Sequence, residues 1–356
     1  MKFCFFNSNK AWGGGEKWHL ETAKFLLSSH DEVLIVTNHQ SKLKEKAQEN
    51  NLPWESFQVG NLSFLNPFKI ISVRNLLKRE KIEVIFLNLP QDLKLAGLAA
   101  KLAGVKKIIY RRGMPHPLRN TFLNRFYFKH ILTHVVANSE EIARSLKKGN
   151  ESWFPKEKLH LLYNGVKPHH ETPSPLFTKT EKVWYLGNAG RLTSQKGQEY
   201  LIQMAKMLKE KNFPFHLFIA GEGELQEKLQ AMIHEFKLEK EVTLLGHVQE
   251  MERFFSALDF FIFPSAYEGS ANTLIETLMA KLPSIAFNVS SMPEIIQHER
   301  TGLLAPLGDA QALAQAVIRL SEDQELREKI KSEGFKLVQE KFDQEKNLRE
   351  FFLTLR

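Results

Sequence analysis

Glu268 and Glu276 bracket the run Gly269, Ser270, Ala271, Asn272, Thr273, Leu274, Ile275, which follows the apolar segment 260–263. Glu268 falls in the loop after that segment, and Glu276 in the second turn of the helix that the run opens. Gly269 and Ser270 expose backbone N–H groups between them, and Ser270 or Asn272 is suited to cap the helix. One carboxylate can then accept from sugar hydroxyls and the other from a ribose, with phosphate over the helix N-terminus. The same spacing also fits two solvated glutamates at a helix end.

A second set is cationic. Gly190-Arg191-Leu192 is followed by Lys196-Gly197 on the loop entering a helix read over 198–208. Two cations five residues apart can converge on one diphosphate, Arg gripping it bidentately and Lys acting as a point charge. The alternative is a pair of solvated surface cations. A third set, Gly13-Gly14-Gly15, stands between the opening apolar run and a helix read over 16–27. It lets the backbone approach a ligand and offers helix N-terminal N–H groups to an anion, or else is a flexible surface turn. It is neither the Gly-x-Gly-x-x-Gly dinucleotide fingerprint nor a P-loop, which needs Gly-Lys-Ser/Thr.

The elements that must position these loops follow one pattern. Apolar runs rich in β-branched and aromatic residues read as strands at 2–6, 32–37, 84–87, 107–110 and 134–137, and at 183–187, 216–220, 242–245, 260–263 and 284–286. Amphipathic stretches lie between them, such as 16–27 with Leu20, Ala23 and Leu27 on one face. Strand–helix alternation implies parallel sheets covered on both sides, here twice over. A Pro- and Thr-rich stretch at 167–181 reads as the linker. The expected domains are 1–168, a Rossmann-like first domain, and 169–341, a Rossmann-like second domain. A helix at 342–356 is expected to return to the first. Two such domains facing each other bring the carboxyl ends of both sheets to one cleft.

Composition narrows the function. The chain has 356 residues, 43% hydrophobic and 25% charged, as in a globular protein. A single cysteine, Cys4, excludes a disulfide framework and a Cys-rich zinc site. No apolar run approaches the roughly 18 residues of a membrane span, and the first residues lack a signal-peptide pattern, so a cytoplasmic protein is expected. Residues 1–170 carry 27 Lys+Arg against 14 Asp+Glu, and the remainder 22 against 27. An anionic partner is thus expected for the first half alone. Within it, 112–129 interleaves Arg112, Arg119, Arg125 and Lys129 with Leu118, Phe122, Leu123, Phe126, Tyr127 and Phe128. Such a segment is either a surface for an anionic membrane or lipid-linked acceptor, or a buried helix with a cationic edge.

Glu268-x7-Glu276 resembles the E-x7-E motif of the retaining glycosyltransferases of the GT-B fold, family four. Neighbouring segments are similar to that family's in the same order: Gly13-Gly14-Gly15-Glu16 to its GGxE loop, Asn164-Gly165-Val166 to its NGV turn, Ala220-Gly221-Glu222-Gly223 to its GxG loop, and Leu245-Gly246-His247-Val248 to its FLGxV segment. Pro283, Pro293-Glu294-Ile295-Ile296 and Thr301-Gly302-Leu303-Leu304 continue the series. The resemblance implies hexosyl transfer, with retained configuration, from a nucleotide-diphosphate sugar. Arg191 and Lys196 would bind the diphosphate, Glu268 the transferred sugar and Glu276 the ribose. Backbone N–H groups of Gly269 to Leu274 and of Gly14 and Gly15 would complete the anion cradle, and Gly221 and Val248 would line the nucleotide. Each well-placed donor to the departing charge is worth about 3–4 kcal/mol. No metal or other cofactor is expected, and no Asp-x-Asp pair occurs.

One departure stands out. Where many members carry a His after the strand at 108–110, this chain reads Tyr110-Arg111-Arg112-Gly113-Met114-Pro115-His116. Arg111 or Arg112 takes the place of that His, or His116 reaches in from the loop, and with Arg119 these residues are expected to meet an anionic acceptor. Expected partners are the nucleotide sugar, a glycan or glycolipid acceptor such as a lipopolysaccharide core or polysaccharide precursor, and the inner face of an anionic membrane. Competing readings are a sugar-nucleotide epimerase or phosphorylase, which lack their extra carboxylates or pyridoxal lysine here, and a non-catalytic donor-binding protein. A nucleic-acid binder conflicts with the acidic second half and the absence of a known module.

Overall fold

A computed structural model describes residues 1–167, 173–179 and 182–355. Its chain separates into two compact units, one formed by 1–164 with 345–356 and the other by 165–344. Of the stretch read as a linker, 168–172 and 180–181 lie outside the described residues. The part between is not a free connector: the Leu176 N–H donates to the Arg253 carbonyl, and the Phe177 ring lies 4.2 Å from that of Phe218 in the second unit.

Among the described residues the first unit holds a seven-stranded parallel sheet. Its strands are β1 (Lys2–Asn7), β2 (Glu32–Thr37), β3 (Trp54–Ser56), β4 (Val84–Leu87), β5 (Lys107–Arg112), β6 (His134–Ala137) and β7 (Leu159–Leu161), in the order β3-β2-β1-β4-β5-β6-β7. Strand alternation sorts side chains into two cores. Cys4, Phe6, Leu34, Val36, Ile85 and Leu87 belong to one, and Phe3, Phe5, Val33, Ile35, Val84 and Phe86 to the other.

The second core is closed by the C-terminal helix Gln344–Leu355, which buries Leu348, Phe351, Phe352 and Leu355. Phe352 meets Phe3 edge-on at 5.4 Å and Phe86 at 5.9 Å. The chain therefore returns to the unit in which it began.

The second unit carries β8 (Trp184–Ala189), β9 (Phe215–Ala220), β10 (Val242–Gly246), β11 (Phe260–Phe263), β12 (Ser284–Phe287) and β13 (Leu303–Ala305), ordered β10-β9-β8-β11-β12-β13. Both sheets thus run outward in two directions from their first strand. Each has a switch point, between β1 and β4 and between β8 and β11, where successive crossovers go to opposite faces and a crevice opens at the strands' carboxyl ends.

Replacing Phe352 by Ala should destabilise the first unit by about 3–5 kcal/mol, the range for emptying a buried aromatic site. Urea unfolding followed by near-ultraviolet circular dichroism reads this directly; an unchanged midpoint would contradict the packing of the terminal helix.

Candidate active site

At the β8/β11 switch point the loop 190–197 and the loop 264–271 are laced together. The Ala266 N–H donates to the Gln195 carbonyl at 2.8 Å, the Gln195 side-chain amide donates to the Tyr267 carbonyl at 2.9 Å, and Lys196 Nζ meets Glu268 Oε1 at 2.6 Å. Both members of this pair are largely buried. Two glycines permit the close approach. A Cβ on Gly197, whose φ is +68°, would lie 2.1 Å from the Pro264 carbonyl oxygen, and one on Gly221 would lie 1.9 Å from that of Gly190. Any side chain there would push the loops apart.

Arg191 is exposed and forms no ion pair among the described residues. Its own carbonyl is held by the side-chain amide of Gln198, a fully buried residue, at 3.1 Å. The structure thus places one anchored cation, Lys196, and one unengaged cation, Arg191, on the same loop. Lys196 retains further N–H donors beyond its bond to Glu268.

Glu268 is fixed through its backbone as well. The Ser290 hydroxyl donates to the Glu268 carbonyl at 2.7 Å and accepts from the Glu268 N–H at 3.3 Å, and the Ser291 hydroxyl donates to the same carbonyl at 3.2 Å. The sequence reading missed these serines. Their position just after β12, the strand next to β11, was the signal available. Glu276 is half-buried on the helix Asn272–Met279.

That helix corrects one expectation. Neither Ser270 nor Asn272 caps it: the Ser270 hydroxyl donates to Asn272 Oδ1 at 3.1 Å, and the N-cap position falls on Ala271, which has no acceptor. The two side chains are engaged with each other, and the N–H groups flanking Thr273 turn back on the backbone, that of Asn272 donating to the Ser270 carbonyl at 2.8 Å and that of Leu274 to the Ala271 carbonyl at 2.9 Å. Gly221 donates its N–H to the Gly246 carbonyl at 2.7 Å, and the half-buried Val248 follows two residues later. Arg191, Lys196, Gly221, Val248, Glu268 to Leu274 and Glu276 thus all follow the carboxyl ends of β8 to β11.

In the first unit the helix Gly14–Ser28 begins at Gly13 without a side-chain cap. Glu16, in its first turn, is buried and accepts from Asn7 Nδ2 at 2.9 Å, Asn9 Nδ2 at 3.0 Å and Asn88 Nδ2 at 3.4 Å. Gly14 and Gly15 are thereby set at the switch point with their N–H ends open. Of the residues after β5, Arg111 is buried: it lies 4.5 Å over the Trp18 ring and donates to Asn164 Oδ1 at 2.9 Å. Burial brings its pKa down to about 10, against a smaller upward pull from Glu16, so the charge persists at neutral pH. Arg112 donates to the Tyr110 hydroxyl at 3.1 Å and the His116 carbonyl at 2.9 Å, while His116 and Arg119 are exposed.

Asp92 also went unread in the sequence. Fully buried, it accepts at Oδ2 from the N–H groups of Ser8 at 3.2 Å and Leu89 at 3.1 Å, tying the loops after β1 and β4 together. Among the described residues no helix is long and apolar enough to cross a membrane, and no group of three or more His, Cys, Asp or Glu could hold a metal ion.

Two Rossmann-like domains, each with a glycine-bearing loop at its switch point, define the GT-B fold class. Residues 12–170 match the family described as Glycosyltransferase Family 4 and residues 174–337 that described as Glycosyl transferases group 1, and the chain belongs to these glycosyltransferases. Amylovoran biosynthesis glycosyltransferase AmsK of Erwinia amylovora is 32% identical over 176 residues, covering 47% of this chain and 43% of that protein. The N-acetylgalactosamine-N,N'-diacetylbacillosaminyl-diphospho-undecaprenol 4-alpha-N-acetylgalactosaminyltransferase of Campylobacter jejuni subsp. jejuni is 28% identical over 291 residues, 77% of this chain and 76% of that one. The chain spans about half the length of the first curated relatives it matches. Anabaena HepE, solved in complex with UDP and glucose, shares the fold at a TM-score of 0.82 and 20% identity, covering 100% of this chain and 99% of that chain.

Burial pushes the Asp92 carboxyl up from its ordinary 3.8 to about 7, and the charge of Glu16 adds to the effect. A carboxyl with a raised folded-state pKa stabilises the fold while protonated and loses that contribution as pH rises through the folded value. Wild-type stability should therefore decline between pH 4 and 7 relative to Asp92→Asn. Urea midpoints of the two proteins at pH 4.5 and 7.5 test this, and a difference that does not change with pH would contradict it.

Proposed function

We propose that the protein transfers a hexose from a nucleotide-diphosphate sugar to an envelope glycan acceptor, with retention of configuration and without a metal ion. The observation that carries this reading is the loop pair at the β8/β11 switch point, where Lys196 and Glu268 are locked together beside the unengaged Arg191. As the glycosidic bond breaks, negative charge accumulates on the departing diphosphate. Arg191 and Lys196 supply positive charge there, and the N-terminal end of the helix Asn272–Met279 adds its dipole, so little reorganisation is needed in the transition state. Glu268, held by Lys196 and by Ser290 and Ser291, presents its remaining acceptor capacity to hydroxyls of the transferred sugar. Glu276 accepts from the ribose. Protein cations in this role make a metal unnecessary for charge neutralisation.

The acceptor is proposed to be a lipid-linked or polysaccharide glycan. The Campylobacter relative's name specifies a diphospho-undecaprenol acceptor, the AmsK name specifies amylovoran biosynthesis, and the first half of this chain is strongly basic. Arg112, His116 and Arg119 are proposed acceptor contacts, and Arg111 a buried charge behind them. Work at the inner face of the cytoplasmic membrane fits this acceptor. UDP is the first nucleotide to test, because HepE was solved with it.

A thermal-shift screen of UDP, GDP, ADP and CMP with their sugar conjugates should give one selective stabilisation, about 2.7 kcal/mol at a hundredfold excess over Kd, insensitive to EDTA. Glu276→Ala should weaken that nucleotide by about 1–3 kcal/mol, the range for losing hydrogen bonds to a charged acceptor. Arg191→Ala should depress kcat by about 10²–10³-fold, and more than it weakens donor binding. No shift with any nucleotide, or equal losses in kcat and donor affinity for Arg191→Ala, would contradict the assignment.

A further inference from the structure

A cavity of about 510 Å³ opens in the first unit, lined among others by Lys10, Asn38, Gln58, Leu62, Asn66 and Lys69. Its walls come from the loops after β1, β2 and β3 and from the start of the helix Pro67–Arg79. Its charge is uncompensated. Lys10 Nζ donates to Gln40 Oε1 at 2.8 Å, and Lys69 Nζ donates to the Gln58 carbonyl at 2.9 Å and the Ser63 hydroxyl at 3.2 Å. All three acceptors are neutral, and no carboxylate lines the cavity. Nearby lysines behave differently: Lys42 and Lys46 each pair with a glutamate on their own helix. The chain from 57 to 79 contains Lys69, Arg74, Lys78 and Arg79 and no Asp or Glu.

Interleaved in sequence with the lining residues Ser63, Asn66 and Lys69 stand exposed apolar side chains. Leu62, itself part of the cavity wall, is 69% exposed, Leu65 66% and Phe68 80%. Phe68 and Ile71, also exposed, stand one turn apart on the helix that carries Lys69. Large exposed apolar side chains clustered at the rim of a polar site mark a ligand or interaction surface rather than ordinary exterior. Two ammonium groups, which keep three of their six N–H donors beyond these neutral contacts, match with the flanking side-chain amides a group carrying two or more negative charges. A bordering strip of Leu and Phe matches a hydrocarbon chain attached to it.

We propose that this cavity binds the diphosphate of a lipid-linked acceptor, with Leu62, Leu65 and Phe68 carrying the first part of its chain. The proposal rests on the glycosyltransferase reading above and adds to it the group by which the acceptor is recognised. Lys10 and Lys69 hold the diphosphate, and the apolar rim distinguishes a lipid-linked acceptor from a free sugar phosphate.

The test is a binding titration of the full chain in an Arg191→Ala background, which removes the exposed cation from the nucleotide loop. The probes are farnesyl diphosphate, inorganic pyrophosphate and farnesol. Farnesyl diphosphate should bind at least tenfold more tightly than either of the others. Lys10→Gln with Lys69→Gln should weaken it at least tenfold, and the corresponding pair of Arg substitutions should restore it. Lys10→Gln alone, at an exposed position, should show part of the loss with an unchanged Tm. Farnesol binding as well as its diphosphate would overturn the role of the lysines. Pyrophosphate binding as well as farnesyl diphosphate would overturn the lipid source, and no effect of the Gln substitutions would overturn the location. Failure of the glycosyltransferase reading would appear separately, as no nucleotide stabilisation in the thermal screen.

Discussion

A parallel sheet that begins in its middle must send its crossovers in opposite directions, and the strands where they part are left uncovered at their carboxyl ends. This chain meets that constraint twice, between β1 and β4 and between β8 and β11. The glycine-bearing loops and the paired buried charges lie where the constraint leaves room. The loops there cannot be packed by a helix from the same crossover, so they pack on each other. In the second unit Gly197 and Gly221 bring the backbones into contact, and the Lys196–Glu268 pair joins the loops across the gap. In the first, Glu16 gathers Asn7, Asn9 and Asn88, and Asp92 gathers the N–H groups of Ser8 and Leu89.

The buried charges at these points differ in what they contribute. A buried ion pair gains little net stability over an apolar pair, because desolvation offsets most of the attraction, yet removing one partner leaves an uncompensated charge and is strongly unfavourable. The value of Lys196–Glu268 is therefore positional: it fixes two groups that must face a ligand. Arg111, stacked on Trp18 and bonded to Asn164, has its pKa lowered by burial, and Glu16 pulls the other way. Arg112 instead holds the carbonyl of His116 and so shapes the loop after β5.

Much of this was legible in the sequence because parallel strands buried on both faces are near-continuous apolar runs. All ten segments read as strands are strands, most with a residue or two added at an end. The three that escaped, Trp54–Ser56, Leu159–Leu161 and Leu303–Ala305, are three residues long and lie at or next to a sheet edge. Two of them are only half covered, so they lack a run to read. The loops after β1, β8 and β11 were legible through glycines and spaced charges, which are local signals. Their supports were not, because Ser290 with Glu268, Asn88 with Glu16 and Asp92 with Ser8 are 22, 72 and 84 positions apart. Nothing local marks such partners. The cap expected of Ser270 or Asn272 failed for a local reason of another kind, since each side chain found the other first.

The claim on which the account turns is that a diphosphate sits against Arg191 and Lys196. It is tested most directly by the ratio of affinities for a nucleoside diphosphate and the monophosphate of the same base, measured by calorimetry. If the two cations grip the second phosphate, the diphosphate binds at least tenfold more tightly, and the advantage disappears when both are replaced by Ala. Equal affinities for the two nucleotides in the unaltered protein would contradict the account.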